Sequence, residues 1–428
     1  MKPVSASRDI GLKRRYRLEK RFRFYGIAAI LIALFFLGAL LWSVVSKGYT
    51  AFWQTTLTLP IYFDTQILDP ENERAQDPDF LMTANYRALI AHTLAQKLGI
   101  DENDRKAMRQ IRKFYSSSAS VVLRDMVVEN PKILNTTQTV TILAASDVDS
   151  VFKGEIDVSI DESRRKVSDL QVSWVNRLKQ QGILKKSFNK WLFLSPASSV
   201  PEKSGLAVAL LGSLYMMLIV LCLAMPIGVG AAIYLEEYAK KNWFSHILEV
   251  NINNLAAVPS IVFGLLGLSV FINFFGMPRS ASIVGGLVLT LMTLPTIIIT
   301  TRAALRSVPP SIRSAALGLG ASKTQMIFHH VLPLSLPTIL TGVIIGLAQA
   351  LGETAPLLLI GMVAFVGNVP LSVFDPATAL PVQIYSWANE VERGFVERTS
   401  AAIIVLLLFL AIMNITAIFL RRRFEKRW

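Results

Sequence analysis

Six apolar runs, roughly 24 to 46, 206 to 234, 254 to 275, 282 to 300, 337 to 366 and 400 to 420, decide what this chain can fold into. Each approaches the ~20 residues that an α-helix needs to cross the hydrocarbon core of a bilayer. No water is available at that depth, so a spanning segment must satisfy its own backbone N–H and C=O groups, as a helix does. Composition agrees: 52% of the residues are apolar and 17% charged, with mean hydropathy +0.46, which excludes an ordinary soluble enzyme. The first run stands far from the other five. The expected fold is therefore an all-α polytopic membrane protein of six transmembrane helices, with a small α+β extracytoplasmic domain between the first and second spans.

Lysine and arginine set the expected orientation. The tail 1–23 carries Lys2, Arg8, Lys13, Arg14, Arg15, Arg17, Lys20, Arg21 and Arg23, and the tail 421–428 carries Arg421, Arg422, Arg423, Lys426 and Arg427. Both termini are expected in the cytoplasm of a cell whose inner membrane holds the spans, with residues 47–204 in the periplasm. The loops 235–253 (Lys240, Lys241) and 301–336 (Arg302, Arg306, Arg313, Lys323, without an acid) keep the pattern. Against these bases stand Asp9, Glu19, Glu236, Glu237, Glu249 and Glu425, and the difference equals the whole net charge of +14. The basic pI thus follows from topology and does not indicate a nucleic-acid partner. The run 24–46 is longer than a signal-peptide core and no small-residue cleavage site follows it, so it reads as an uncleaved anchor. Cys222 lies in the second span, which leaves the exported domain without an internal disulfide.

In residues 47–204 bases and acids nearly cancel. Periodicity predicts a helix over Phe80–Leu98 with Asp79 as N-cap and Gly99 as stop, another over Ser163–Gln181 closed by Gly182, and helix within 103–129 broken near Ser116. Leu57–Phe63 and Thr137–Leu143 are β-prone. Neither a metal cluster nor a nucleophile arrangement nor a glycine-rich phosphate loop is present in the sequence, so a docking or spacer role is the plainer reading against ligand binding.

The fifth run contains Gly352-Glu353-Thr354-Ala355-Pro356-Leu357. A carboxylate at hydrocarbon depth costs a few kcal/mol and by default marks a functional site. Gly342, Gly346, Gln349 and Glu353, spaced 4, 3 and 4, share one helical face with Ala350 beside it. Plain helix packing accounts for the glycines, but it gives no reason to bury Glu353. Pro356 lacks the N–H that would bond the carbonyl of Gly352, which predicts a bend or break.

Between the fourth and fifth spans, Pro309-Pro310 ends one helix, a short helix starts at Ser311, and Gly318 with Gly320 makes a turn. Ser322 and Gln325 form a capping-box pattern for a second helix whose apolar side is Met326, Ile327 and Val331, and Pro333 is expected to stop it.

This segment resembles the EAA loop of ABC-importer permeases through Ala315-Ala316, Gly320 and Leu332-Pro333, with Ser314 where the family has glutamate and His330 where it has isoleucine. Three further stretches resemble the phosphate-specific permeases of PstA type: Gly352 to Leu357, Gly228-Val229-Gly230-Ala231-Ala232-Ile233-Tyr234-Leu235-Glu236-Glu237-Tyr238, and Val258-Pro259-Ser260-Ile261-Val262-Phe263-Gly264-Leu265. The resemblance covers about 206 to 420, and the anchor and exported domain resemble an extension of some bacterial members. It implies a MetI-like five-helix core over 205–420 and a PstC-type second permease subunit. It also implies two PstB-type ATPase subunits that bind ATP and magnesium, and a PstS-type periplasmic phosphate-binding protein. It assigns coupling to the ATPase to Ser314, Ala315, Ala316, Gly320, Ser322, Leu332 and Pro333. No cofactor or metal belongs to this chain itself, and no Gly-Lys dipeptide occurs in it, which rules out a P-loop here.

The candidate translocation path is Glu353 with Gln349, Thr354 and Pro356 beside it, and Arg302 and Arg306 after the fourth span. The family often has arginine where Gln349 stands. A carboxylate does not attract phosphate, so Glu353 is expected to orient a cation or donor, or to pair with Arg302, Arg306 or a residue of the second permease. Arg302 and Arg306 suit an oxyanion through their planar forks, while ordinary topology anchors would look the same. Adjacent His329 and His330 diverge by about 100° on a helix and do not share a metal. In 367–398 a helix is expected from Val382 to Glu392, lining an external gate or capping the bundle. Rival classes are a permease for sulfate, molybdate or phosphonate, a receptor, whose output module these short loops cannot supply, and a secondary transporter, which would show an internal repeat.

Overall fold

A computed structural model describes residues 12–71, 80–240, 242–363 and 365–424. Lys2, Arg8, Asp9, Asp79, Lys241, Glu425, Lys426 and Arg427 lie outside the described residues. Five helices are long and apolar enough to cross a membrane, and a bent pair makes a sixth span if counted as one.

Helix α1 (Leu12–Gly48) is a single rod that buries none of its apolar window against the rest of the chain. It touches the last helix at its end, where a Cβ on Gly48 would sit 2.7 Å from the Ser400 carbonyl carbon. The chain then enters β1 (Trp53–Tyr62), the centre of an antiparallel sheet of order β2-β1-β3 with β2 (Thr137–Leu143) and β3 (Leu184–Phe188). Leu57, Leu59 and Ile61 alternate onto one face and are fully buried. Over that face pack α2 (Tyr86–Leu98), α3 (Ala119–Glu129), α4 (Ser146–Lys153) and α5 (Asp169–Gln180), closing a core that includes Phe114 and Trp174.

The helix expected over Phe80–Leu98 is broken: one turn ends at Thr83, and Asn85 caps α2 by accepting from the Ala88 N–H at 3.1 Å. Gly99, at φ +68°, does end it. The helix expected from Ser163 starts only at Asp169, because Ser168 and Gln171 form a capping box there. β3 carries Lys185 and Lys186 and has no apolar run to announce it.

In the bundle, α6 (Ala207–Ile233) continues through one π turn to Tyr238. Next come α7 (Trp243–Ala256) and α8 (Ser260–Leu266), the latter continuing as π-helix to Phe274. The two axes bend by 103° at Ala257 to Pro259. The third run is therefore not one straight span, and α7 occupies residues expected as loop. Its asparagines and Glu249 dilute the hydropathy without breaking the helix, and no residue in it is buried within the chain. Helix α9 (Ser282–Arg306) runs alongside α6 in the same direction, so close that a Cβ on Gly286 would lie 2.7 Å from the Cβ of Ile219. After α10 (Pro310–Gly318) and a capped turn at Lys323–Met326, α11 (Leu332–Gly352) returns antiparallel along α9. The short α12 (Ala355–Leu359) follows. Next, α13 (Leu380–Ala388) tucks into the bundle, with the Leu380 N–H donating to Ser213 Oγ at 2.9 Å. Finally α14 (Gly394–Phe424) packs on α11, α13 and α1.

A buried ionic seam joins the extramembrane domain to α14. Lys153 Nζ lies 2.7 Å from Asp149 and 2.9 Å from Glu397, with the lysine side chain 4% exposed. Arg398 donates to the Ser204 carbonyl, and Gly394 leaves room for Ser146. Burial disfavours the Lys153 ammonium, but the two carboxylates outweigh it and its pKa is raised.

Candidate functional site

Helix α11 stops at Gly352. Glu353 is extended (φ −77°, ψ 130°), Thr354 opens α12, and Pro356 sits in the first turn of α12, where a missing N–H costs nothing. The fifth run is thus fully interrupted. Pro356 is buried, and Glu353 and Thr354 are half-buried. Among the described residues the Glu353 carboxylate has no hydrogen-bond or ion-pair partner.

The break lies within the length of the bundle. Seven residues before Glu353, Gly346 faces Ile297 and Thr293 of α9; seven residues after it, Ile360 meets Gly267, which itself abuts Val288. Glu353 therefore sits between the levels of Val288 and Thr293, just ahead of the midpoint of α9. The half-helix α8 closes on it: a Cβ on Gly264 would lie 2.6 Å from Pro356 Cα and 2.8 Å from its carbonyl oxygen. Two motifs nearly a hundred residues apart, Val258 to Leu265 and Gly352 to Leu357, thus form one contact.

The expected shared face holds only in part. Gly342 packs on Thr300 and Gly346 on Ile297, but Gln349 is exposed and Glu353 is beyond the helix end. Arg302 and Arg306 do not reach Glu353. From Thr293 to Arg302 is nine residues, about 14 Å at 1.5 Å per residue. Both arginines instead bind acids: Arg302 pairs with Glu249 at 3.0 Å and Glu236 at 3.4 Å, and Arg306 with Glu236 at 2.9 Å.

At that end of the bundle, Arg313 donates to the Leu305 and Val308 carbonyls at 2.7 and 2.6 Å and pairs with Glu237 at 2.9 Å. It caps the C-terminus of α9 and fixes α10 against it. Sequence reasoning missed this pair; the available signal was two adjacent acids, Glu236 and Glu237, set against the base-rich, acid-free loop 301–336. Ser314 and Ala315 are exposed on α10, Ala316 is buried beneath, Gly320 makes the turn at φ +87°, and Ser322 with Gln325 forms the predicted capping box. Pro333 does not stop the second helix. A π segment, Ile327–Val331, precedes Leu332-Pro333 and lets the chain run on into α11. His329 and His330 are exposed on that segment, and Leu317, Leu319 and Phe328 leave an apolar tip in the open.

Residues 224–428 match the family model described as "Binding-protein-dependent transport system inner membrane component". Similar proteins include a probable ABC transporter permease, YqgI, of Bacillus subtilis, 32% identical over 44% of this chain and 68% of that protein. The phosphate transport system permease PstA 1 of Mycobacterium tuberculosis H37Rv is 33% identical over 54% of this chain and 75% of its own length. This chain belongs to the ABC-transporter permeases. Residues 9–162 of the permease also match a domain of unknown function, DUF3333, which fits the extension. The PstA of Yersinia pestis is 33% identical over 50% of the permease and 71% of its own length. Among solved structures, the inward-facing MetNI methionine ABC transporter covers 51% of the permease at 15% identity with TM-score 0.41.

Proposed function

We propose that the permease forms, with a PstC-type second subunit, the membrane pore of an ATP-driven importer of inorganic phosphate. The observation that carries this reading is the interrupted α11 to α12 segment. It holds Glu353, half-buried and without a partner among the described residues, at bundle depth against α8. A carboxylate so placed needs a partner from outside the chain, either the second permease or a passing ion. The likeness to PstA proteins supports phosphate as the solute. Two PstB-type ATPase subunits would bind ATP and magnesium and dock on the exposed tip around Gly320 and Ser322. A PstS-type protein would deliver phosphate at the opposite end. In this reading both termini and the 301–336 loop face the cytoplasm, residues 47–204 face the periplasm, and ATP hydrolysis rocks the core between inward and outward access.

Reconstituted uptake tests it. With both permeases, the ATPase and the binding protein in proteoliposomes, phosphate should accumulate with ATP and not with sulfate as solute. Glu353→Ala at equal expression should abolish accumulation, and undiminished uptake would refute the role given to Glu353. Cysteines at Gly320 or Ser322 should crosslink to the ATPase, and failure there would overturn the coupling assignment.

A further inference from the structure

A cleft of about 410 Å³ opens where the extramembrane domain meets the bundle. Five cations from four segments line it: Arg87 of α2, Arg112 and Lys113 ahead of β2, Lys166 before α5, and Arg393 just before α14. Among the described residues none of them has a carboxylate at ion-pair distance. Some bases elsewhere on the domain pair with acids, as Arg124 does with Asp125 and Lys153 with Asp149; what sets the cleft apart is that it gathers five cations around one cavity. Asp147, Glu202 and Glu392 also line the cleft, so cations outnumber acids five to three. Glu202 weighs least in that balance, since burial pushes its carboxyl up toward the neutral form. The Arg87 backbone is held by the Tyr115 hydroxyl, which donates to its carbonyl at 2.9 Å. The cleft walls are low in dielectric and concentrate the positive field between them. Arginine forks at such a place match the paired oxygens of a tetrahedral oxyanion.

We infer that this seam cleft binds a phosphate-class oxyanion, supplied either as free phosphate or as the headgroup of an anionic phospholipid at the adjoining membrane surface. The site lies between the extension and the start of α14, is distinct from the Glu353 break, and does not rest on phosphate being the solute that crosses. Four of the cations come from the domain and the fifth, Arg393, from just before α14, so an anion held among them would tie the two together.

The test uses the full chain in nanodiscs, without ATPase or binding protein, and labelled inorganic phosphate as the probe. In phosphatidylcholine discs, phosphate should bind saturably. Arg87→Gln with Arg112→Gln, both exposed and expected to melt as the parent does, should raise Kd about tenfold or more. Glu353→Ala should leave binding intact, which separates this site from the transport reading. Adding phosphatidylglycerol to the discs identifies the source: unchanged binding assigns the cleft to free phosphate, and competition that the double variant abolishes assigns it to the headgroup. Absence of saturable binding, or binding indifferent to the double variant, overturns the inference. So does a double variant whose one defect is weaker association with the binding protein, because the cleft is then a protein contact.

Discussion

Replacing Gly264 with alanine probes the contact on which the functional geometry depends. The added Cβ would stand 2.6 Å from Pro356 Cα and 2.8 Å from Pro356 O, whereas carbon atoms in contact rest at about 3.5 to 4.0 Å. Neither neighbour is a side-chain end that can swing aside, and the pyrrolidine ring fixes φ at Pro356. Helix α8 must therefore withdraw by about 1 Å, an overpacking that costs about 1 to 3 kcal/mol. That is roughly a 5- to 150-fold bias against the packed arrangement. Gly230→Ala is the matched control, since no heavy atom lies within 4 Å of the Cβ it would add. Melting of the purified chain in detergent and phosphate uptake by the reconstituted transporter should both fall for Gly264→Ala and hold for Gly230→Ala. Equal melting and equal uptake of the two variants would refute the reasoning that α8 braces the break.

Lys153→Ala should destabilise the seam by about 3 to 5 kcal/mol, because Asp149 and Glu397 are left buried and facing each other; hydrogen exchange in α4 and early α14 reads it. Combining Lys153→Met with Asp149→Asn and Glu397→Gln should recover most of that protection. Arg313→Ala should loosen α10 from α9 by about 1.5 to 3 kcal/mol, the worth of a hydrogen bond to a charged group, seen as faster exchange across 305–318. For Glu202, burial raises the folded pKa above the unfolded one. Its contribution to stability is therefore present at low pH and lost as pH rises through the folded value. Glu202→Gln should accordingly melt higher than the parent at neutral pH, and should lose the gain the parent shows on acidification toward pH ~5.

The sequence announces what hydropathy and capping control, and it hides what depends on a neighbour. Pro356 inside an apolar run with Glu353 was sufficient to expect the break, and Ser322 with Gln325 to expect the second helix of the 301–336 loop. Pro259 carried the same physics, yet the apolar run 254–275 masked it, and neither the 103° bend at Ala257 to Pro259 nor the close approach of Gly264 to Pro356 could be read from residue type. The arginines after the fourth span were visible as charges. Their partners, Glu236 and Glu249, became evident only once α6, α7 and α9 were seen to converge. Pro333 misled for a local reason: a π segment upstream absorbs the missing N–H, and no residue type marks such a segment. The third strand was hidden because its partner, β1, supplies the apolar face while β3 shows lysines to solvent.

The ionic seam at Lys153 has a mechanical corollary. The domain is fastened to α14, and α14 in turn carries α1 along one side and leans on α11 along the other, where Arg421 reaches Thr341 at 3.1 Å. Domain, α1 and α14 thus make an outrigger lashed to the hull along both α13 and α11. A tug on the outrigger is delivered first to α13, whose Leu380 and Trp387 share a buried cluster with Phe395 and Ala401 at the domain end of α14, and only further along to α11, where Arg421 meets Thr341.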